Sequence, residues 1–161
     1  MKIPDKRYVL FCSELPVLVS DLLFDWLTDK ALDPNNRITI VVSNLNKANA
    51  VFLELLRYCR ENINPDFHYR SNKIDLTDKH IRFYKGSLIE VINCDNVLDA
   101  QCGKHDYTLL LGVENLGFDI FTAFAVRTRK QVFLTCTESE KTDIFLNRFA
   151  DLEDYVTLKQ Q

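Results

Sequence analysis

The chain has 161 residues, 47% of them apolar and 27% charged, with a formal net charge of −3. That length supports one well-cored domain and would cramp a second, so residues 1–161 read as a single domain. The acidic balance gives no field to draw in DNA, RNA or an anionic membrane, because such binding rests on phosphate neutralisation by Lys and Arg; a protein is the more natural partner.

The opening Met1-Lys2-Ile3-Pro4-Asp5-Lys6-Arg7 is polar and unlike a signal peptide, and no apolar run reaches the ~18 residues a membrane span needs. Residues 8–12 form a short aromatic and β-branched run, the mark of a buried strand. A helix is expected over 16–31, with Pro16 in its first turn and apolar residues almost all round. After the turn Leu32-Asp33-Pro34-Asn35-Asn36, residues 37–43 (RITIVVS) read as a central parallel strand, because their apolar run is continuous instead of alternating.

A second helix is expected over 47–61, capped by Asn46, with Ala50, Leu53 and Leu56 at helical spacing beside Val51 and Leu55. Residues 63–79 lack a sustained period and read as a connection with at most one short strand. Residues 81–84 and 88–93 flank Lys85-Gly86-Ser87, a hairpin signal. Residues 106–112 and 131–136 read as buried strands, 119–127 as a helix between them, 142–149 as a last helix with Ile144, Leu146 and Phe149 inward, and 155–158 as an edge strand. Strands alternating with helices imply an α/β fold: a mainly parallel sheet of about five strands, helices on both faces, plus a β-hairpin.

In such a fold the first strand would lead into a phosphate loop, G-x-x-x-x-G-K-[S/T], whose glycines let backbone N–H groups face the phosphates and whose lysine neutralises them. The corresponding stretch is Cys12-Ser13-Glu14-Leu15-Pro16. It offers a carboxylate, and a proline without an N–H.

Four stretches taken in order resemble the ATPase domain of the large terminase subunit, the DNA-packaging motor of tailed phages and herpesviruses. PNNRITIVVSNLNKANAVF (34–52) is similar to that family's second strand and following helix. IRFYKGSLIEVIN (81–93) is similar to its hairpin, NVLDAQCGKHDYTLLLGVENL (96–116) to the stretch ending in the Walker B strand, and QVFLTCT (131–137) to its coupling strand. The resemblance implies a P-loop NTPase-like fold and a viral origin, with a location in the cytoplasm or nucleus of a host cell.

The departures fall where the chemistry sits. The Walker A residues are missing, leaving Cys12, Ser13 and Glu14 as a degenerate loop, and the Walker B Asp-Glu pair aligns with Gly112 and Val113. An ATPase needs the first carboxylate to hold Mg²⁺ and the second to orient the attacking water. Glu114 is the one candidate catalytic acid, if the register slips by one and puts Val113 at the metal position; the favoured reading makes Glu114 and Asn115 solvated loop residues or caps. The expectation is a pseudo-ATPase with no cofactor and no metal. Because the family carries a nuclease domain after its ATPase core, the chain is expected to be either an independent small protein or one piece of a split system.

Other constellations carry less. The five cysteines, Cys12, Cys59, Cys94, Cys102 and Cys136, are odd in number, scattered and partly within apolar runs, which suggests buried reduced thiols and an intracellular, reducing compartment. They and His68, His80 and His105 show no zinc spacing. Cys102 with His105 lacks an oriented base, and Gly103-Lys104 lacks the rest of a phosphate motif. Arg127, Arg129 and Lys130 form the densest basic cluster, a possible interaction site on the amino edge of the sheet whose default reading is a solvated turn. Thr135, Thr137, Ser43, Ser13, Asn44 and Gly112 end up on the carboxyl edge, where a surviving pocket would take a neutral or weakly anionic ligand; the default reading is that they cap the helices that follow.

Three functions follow. The leading one is a catalytically inactive module that binds a protein, such as a packaging or capsid component. The others are a divergent hydrolase using Glu114 with a partner subunit's basic residue, and a DNA-binding module using Arg127 and Arg129.

Overall fold

The computed structural model describes residues 3–13, 21–63, 69–94, 103–149 and 155–159. Its strands are β1 (Tyr8–Ser13), β2 (Arg37–Val42), β3 (Tyr69–Asp75), β4 (His80–Phe83), β5 (Leu88–Asn93), β6 (His105–Leu110), β7 (Thr128–Thr137) and β8 (Tyr155–Lys159). Its helices are α1 (Asp21–Leu32), α2 (Leu45–Asn62), α3 (Val113–Leu116), α4 (Phe118–Arg127) and α5 (Glu140–Phe149).

Among the described residues all the strands join one eight-stranded sheet in the order β3-β4-β5-β2-β6-β7-β1-β8, which holds both the expected parallel strands and the hairpin. From β5 to β8 every neighbouring pair is parallel, while β3-β4 and β4-β5 are antiparallel. The hairpin expected around Gly86 is β4-β5. β8 is the expected edge strand, and β3 is the one short strand allowed for in the connection over 63–79.

Side chains alternate between two cores, as the period of two in a strand requires. Val9 and Phe11 of β1, Ile38, Ile40 and Val42 of β2, and Phe133 of β7 face one cluster with α1 and α2. Leu10, Val41, Leu110, Val132 and Leu134 face the other with α3, α4 and α5. Both faces are therefore buried, which explains the unbroken apolar runs. Among the described residues no helix is long and apolar enough to cross a membrane.

Two helix phases differ from expectation. Asn44, not Asn46, caps α2, its side chain accepting from Lys47 N at 2.9 Å. The inward face of α2 is Ala48, Phe52, Leu55, Leu56 and Cys59, leaving Ala50 and Leu53 exposed. In α5 the inward residues are Thr142, Phe145 and Phe149, and Ile144 is exposed. Ser139 caps α5, accepting from Thr142 N at 3.2 Å, so the helix starts two residues earlier than expected. The expected first turn of α1 at Pro16 lies outside the described residues.

Candidate functional site

The helices after β2 and after β6 pack on opposite faces of the sheet, although these two strands are neighbours. A crevice must open outside the carboxyl ends of such a pair, where the chain departs in opposite directions. It encloses about 620 Å³ between α2, the β6–α3 turn and the end of β7.

Gly112 turns the chain out of β6. It has φ 69° and ψ 60°, a left-handed conformation suited to glycine, and its N–H donates to Thr135 Oγ1 at 3.0 Å. The next residue, Val113, is fully buried in the cluster beneath α3–α5 and does not line the crevice. Glu114 then points back: Thr137 Oγ1 donates to its Oε1 at 3.0 Å, and its Oε2 is buried without a hydrogen-bond partner. Glu114 is thus half-buried and bonded, not a solvated loop residue, whereas Asn115 is exposed.

The carboxyl-edge set is partly assembled. Gly112, Thr135 and Thr137 line the crevice, and Asn44 caps α2 beside it. The side chain of Ser13 lies outside the described residues. Sequence reasoning missed the contribution of α2: Lys47, Ala50, Val51 and Glu54 line the opposite wall at i, i+3, i+4 and i+7 spacing.

No family model and no curated protein matches the sequence. Solved structures match the fold. The large terminase of a thermophilic bacteriophage covers 96% of this chain with a TM-score of 0.69 at 8% identity, and in another crystal form 96% with 0.65 at 10%. An ATPase-domain mutant of the large terminase of Thermus phage P74-26 covers 98% with a TM-score of 0.53 at 10% identity. The chain has a large terminase ATPase fold. It spans 40% and 39% of the length of the first two terminase chains and 77% of the P74-26 chain.

Among the described residues, those at the end of β6 do not fit the Mg-nucleotide that the fold implies. At the end of β6 a metal ligand would have to come from Gly112, which has no side chain, or from Val113, whose side chain is in the core. One oxygen of Glu114 is already engaged by Thr137. Among the described residues no group of three or more His, Cys, Asp or Glu is arranged to hold a metal ion. Glu14 and the rest of residues 14–20 lie outside the described residues.

The remaining predicted residues lie elsewhere. His105 stands at the start of β6, far along the strand from the crevice, and is 1% exposed. Thr39 Oγ1 donates to Glu90 Oε1 at 2.9 Å, so its oxygen accepts from His105 Nδ1 at 2.6 Å, and the bare Nε2 has no partner. Burial, reinforced by the Arg37 charge, pushes the His105 pKa down to about 4. Its supposed companion Cys102 lies outside the described residues.

The basic cluster is not a solvated turn. Arg127 ends α4 and Thr128–Lys130 already belongs to β7, with Thr128 buried and donating to Phe124 O at 2.7 Å. Lys130 donates to Asn36 Oδ1 at 2.8 Å and sits over the Tyr107 ring, while Arg129 is exposed.

Cys12 and Cys136 are register partners on β1 and β7, with sulfurs 3.1 Å apart; both are buried and outside any disulfide, as are Cys59 and Cys94.

Proposed function

We propose that this chain is a catalytically inactive terminase-ATPase-like domain of viral origin, serving as a structural or regulatory protein-binding module in viral DNA packaging. The observation that supports this most is the end of β6. A left-handed glycine followed by a core valine puts no carboxylate at either of the two Walker B positions, so Glu114 would stand alone at the end of β6 against a triphosphate. The sequence Cys12-Ser13-Glu14-Leu15-Pro16 adds no compensating cation. A sheet buried on both faces remains a rigid platform after hydrolysis is lost.

The partner half of the proposal is tested with purified portal and capsid proteins of the source virus against the immobilised chain. Saturable binding of one of them is expected; binding of none would overturn the packaging role.

The position of Glu114 favours one second reading, a hydrolase completed by a basic residue of a neighbouring subunit. Mg-dependent ATP turnover by the assembled complex, lost in Glu114→Gln, would establish it. A DNA-binding role for Arg127 and Arg129 would require salt-sensitive binding weakened by Arg127→Ala and Arg129→Ala.

A further inference from the structure

The sheet itself brings Cys12 and Cys136 together. They are register partners on the parallel strands β1 and β7, both belong to the cluster beneath α3–α5, and their sulfurs stand 3.1 Å apart. Neighbouring strands run ~4.8 Å apart, and disulfides form where the Cα atoms are about 4.4–6.8 Å apart, so the backbone spacing already suits a bond. The sulfurs have about 1 Å still to close. The register ends one residue further on, at Ser13 and Thr137, so the pair sits where the strands can supply that shift.

Among the described residues no other cysteine competes. Cys59 belongs to the cluster on the opposite face, and Cys94 follows β5, with β2 and β6 between it and β7. Three strand spacings put Cys94 beyond the reach of a disulfide. Buried cysteines ordinarily serve as small hydrophobes. Here the register adds that two thiols share one face of the sheet at one height.

The strand end they occupy also carries the crevice. Beside Cys136 along β7, the Thr135 hydroxyl accepts from Gly112 N and the Thr137 hydroxyl donates to Glu114, while Cys136 itself borders the crevice. A bond from Cys136 to β1 therefore fixes the strand that holds the β6–α3 turn.

We propose that Cys12 and Cys136 form a redox-sensitive staple, open in a reducing compartment and closed to a disulfide by a low-molecular-weight disulfide oxidant. In the intact sheet Cys12 is 9% and Cys136 1% exposed, so the exchange proceeds when the strand ends open. The Cys12 thiolate attacks one sulfur of oxidised glutathione and expels a glutathione thiolate; the Cys136 thiolate then attacks the Cys12 sulfur and expels the second. The protein gives up two electrons and two protons, which leave as two molecules of reduced glutathione. The inference goes beyond the silent-module reading and does not rest on it.

Refolding the full chain from urea in oxidised glutathione, with a parallel sample in excess dithiothreitol, tests it. After alkylation the oxidised sample should carry two fewer alkyl groups than the reduced one, and its peptide map should join Cys12 to Cys136. It should melt roughly 5–15 °C above the reduced sample, because the bond closes a long loop of the unfolded chain. Dithiothreitol should reverse both changes. In Cys12→Ala and Cys136→Ala, oxidised and reduced samples should melt together.

The proposal is overturned if Cys12 and Cys136 stay open to alkylation after oxidative refolding, or if the map joins either to another cysteine. It also fails if the joined protein melts at or below the temperature of the reduced one. Should an alanine variant not fold, the wild-type map and melt decide alone.

Discussion

The Thr137 hydroxyl donates a 3.0 Å hydrogen bond to Glu114 Oε1 and so ties the end of β7 to α3 across the carboxyl edge of the sheet. Thr137→Val should remove the donor and leave the carboxylate short of partners, costing about 1–3 kcal/mol, the scale of a lost hydrogen bond to a charged group. Glu114→Gln keeps an acceptor and should cost less. Urea denaturation of the two variants measures the difference.

Gly112 makes a cleaner backbone test. A Cβ there would meet its nearest neighbours, Asn115 and Glu114, at 3.5 and 3.8 Å, so space is adequate and only the positive φ penalises a side chain. Gly112→Ala should lose about 1 kcal/mol, and Gly112→Asn less, because asparagine tolerates the left-handed region. Equal losses in thermal melts would contradict this account of the turn.

His105 makes stability depend on pH. Its folded pKa of about 4 lies below the ordinary 6.5, so between these values the unfolded chain binds the extra proton. Its contribution is complete above pH ~6.5 and is lost as pH falls toward 4, a change on the order of 3 kcal/mol. In His105→Leu that part of the slope should vanish. Chemical denaturation from pH 7 to 4.5, wild type against variant, reads it directly.

The thiols should be inert in the native state. Burial pushes the Cys59 thiol up to about 12, and the hydrogen bond with Cys12 together with burial pushes Cys136 up as well. The thiolate is the reactive form. An aromatic disulfide reagent at pH 8 should therefore label Cys59 and Cys136 only on unfolding, at a rate that follows denaturant concentration.

The central strands were legible because burial on both faces leaves a run such as Ile38-Thr39-Ile40-Val41-Val42, in which Thr39 is the single polar residue, with no apolar/polar alternation. The start of β7 was not, since Arg129 and Lys130 look like a turn until Lys130 is seen against Asn36 and Tyr107. The four-residue α3 is too short to show a period. The phase of α2 misled because Ala50, Leu53 and Leu56 keep helical spacing while the buried stripe runs through Ala48, Phe52, Leu55, Leu56 and Cys59. Thr135, Thr137 and Gly112 could be placed at the site from their positions at strand ends. Lys47 and Ala50 could not, because their part depends on how a helix leans over neighbouring strands.

Calorimetric titration with ATP in the presence of Mg²⁺ is the most direct test of the silent-domain account. No saturable binding is expected at ATP concentrations up to roughly 1 mM, a threshold near 4 kcal/mol of binding free energy. Tight binding that requires Mg²⁺ and disappears in Glu114→Gln would contradict it.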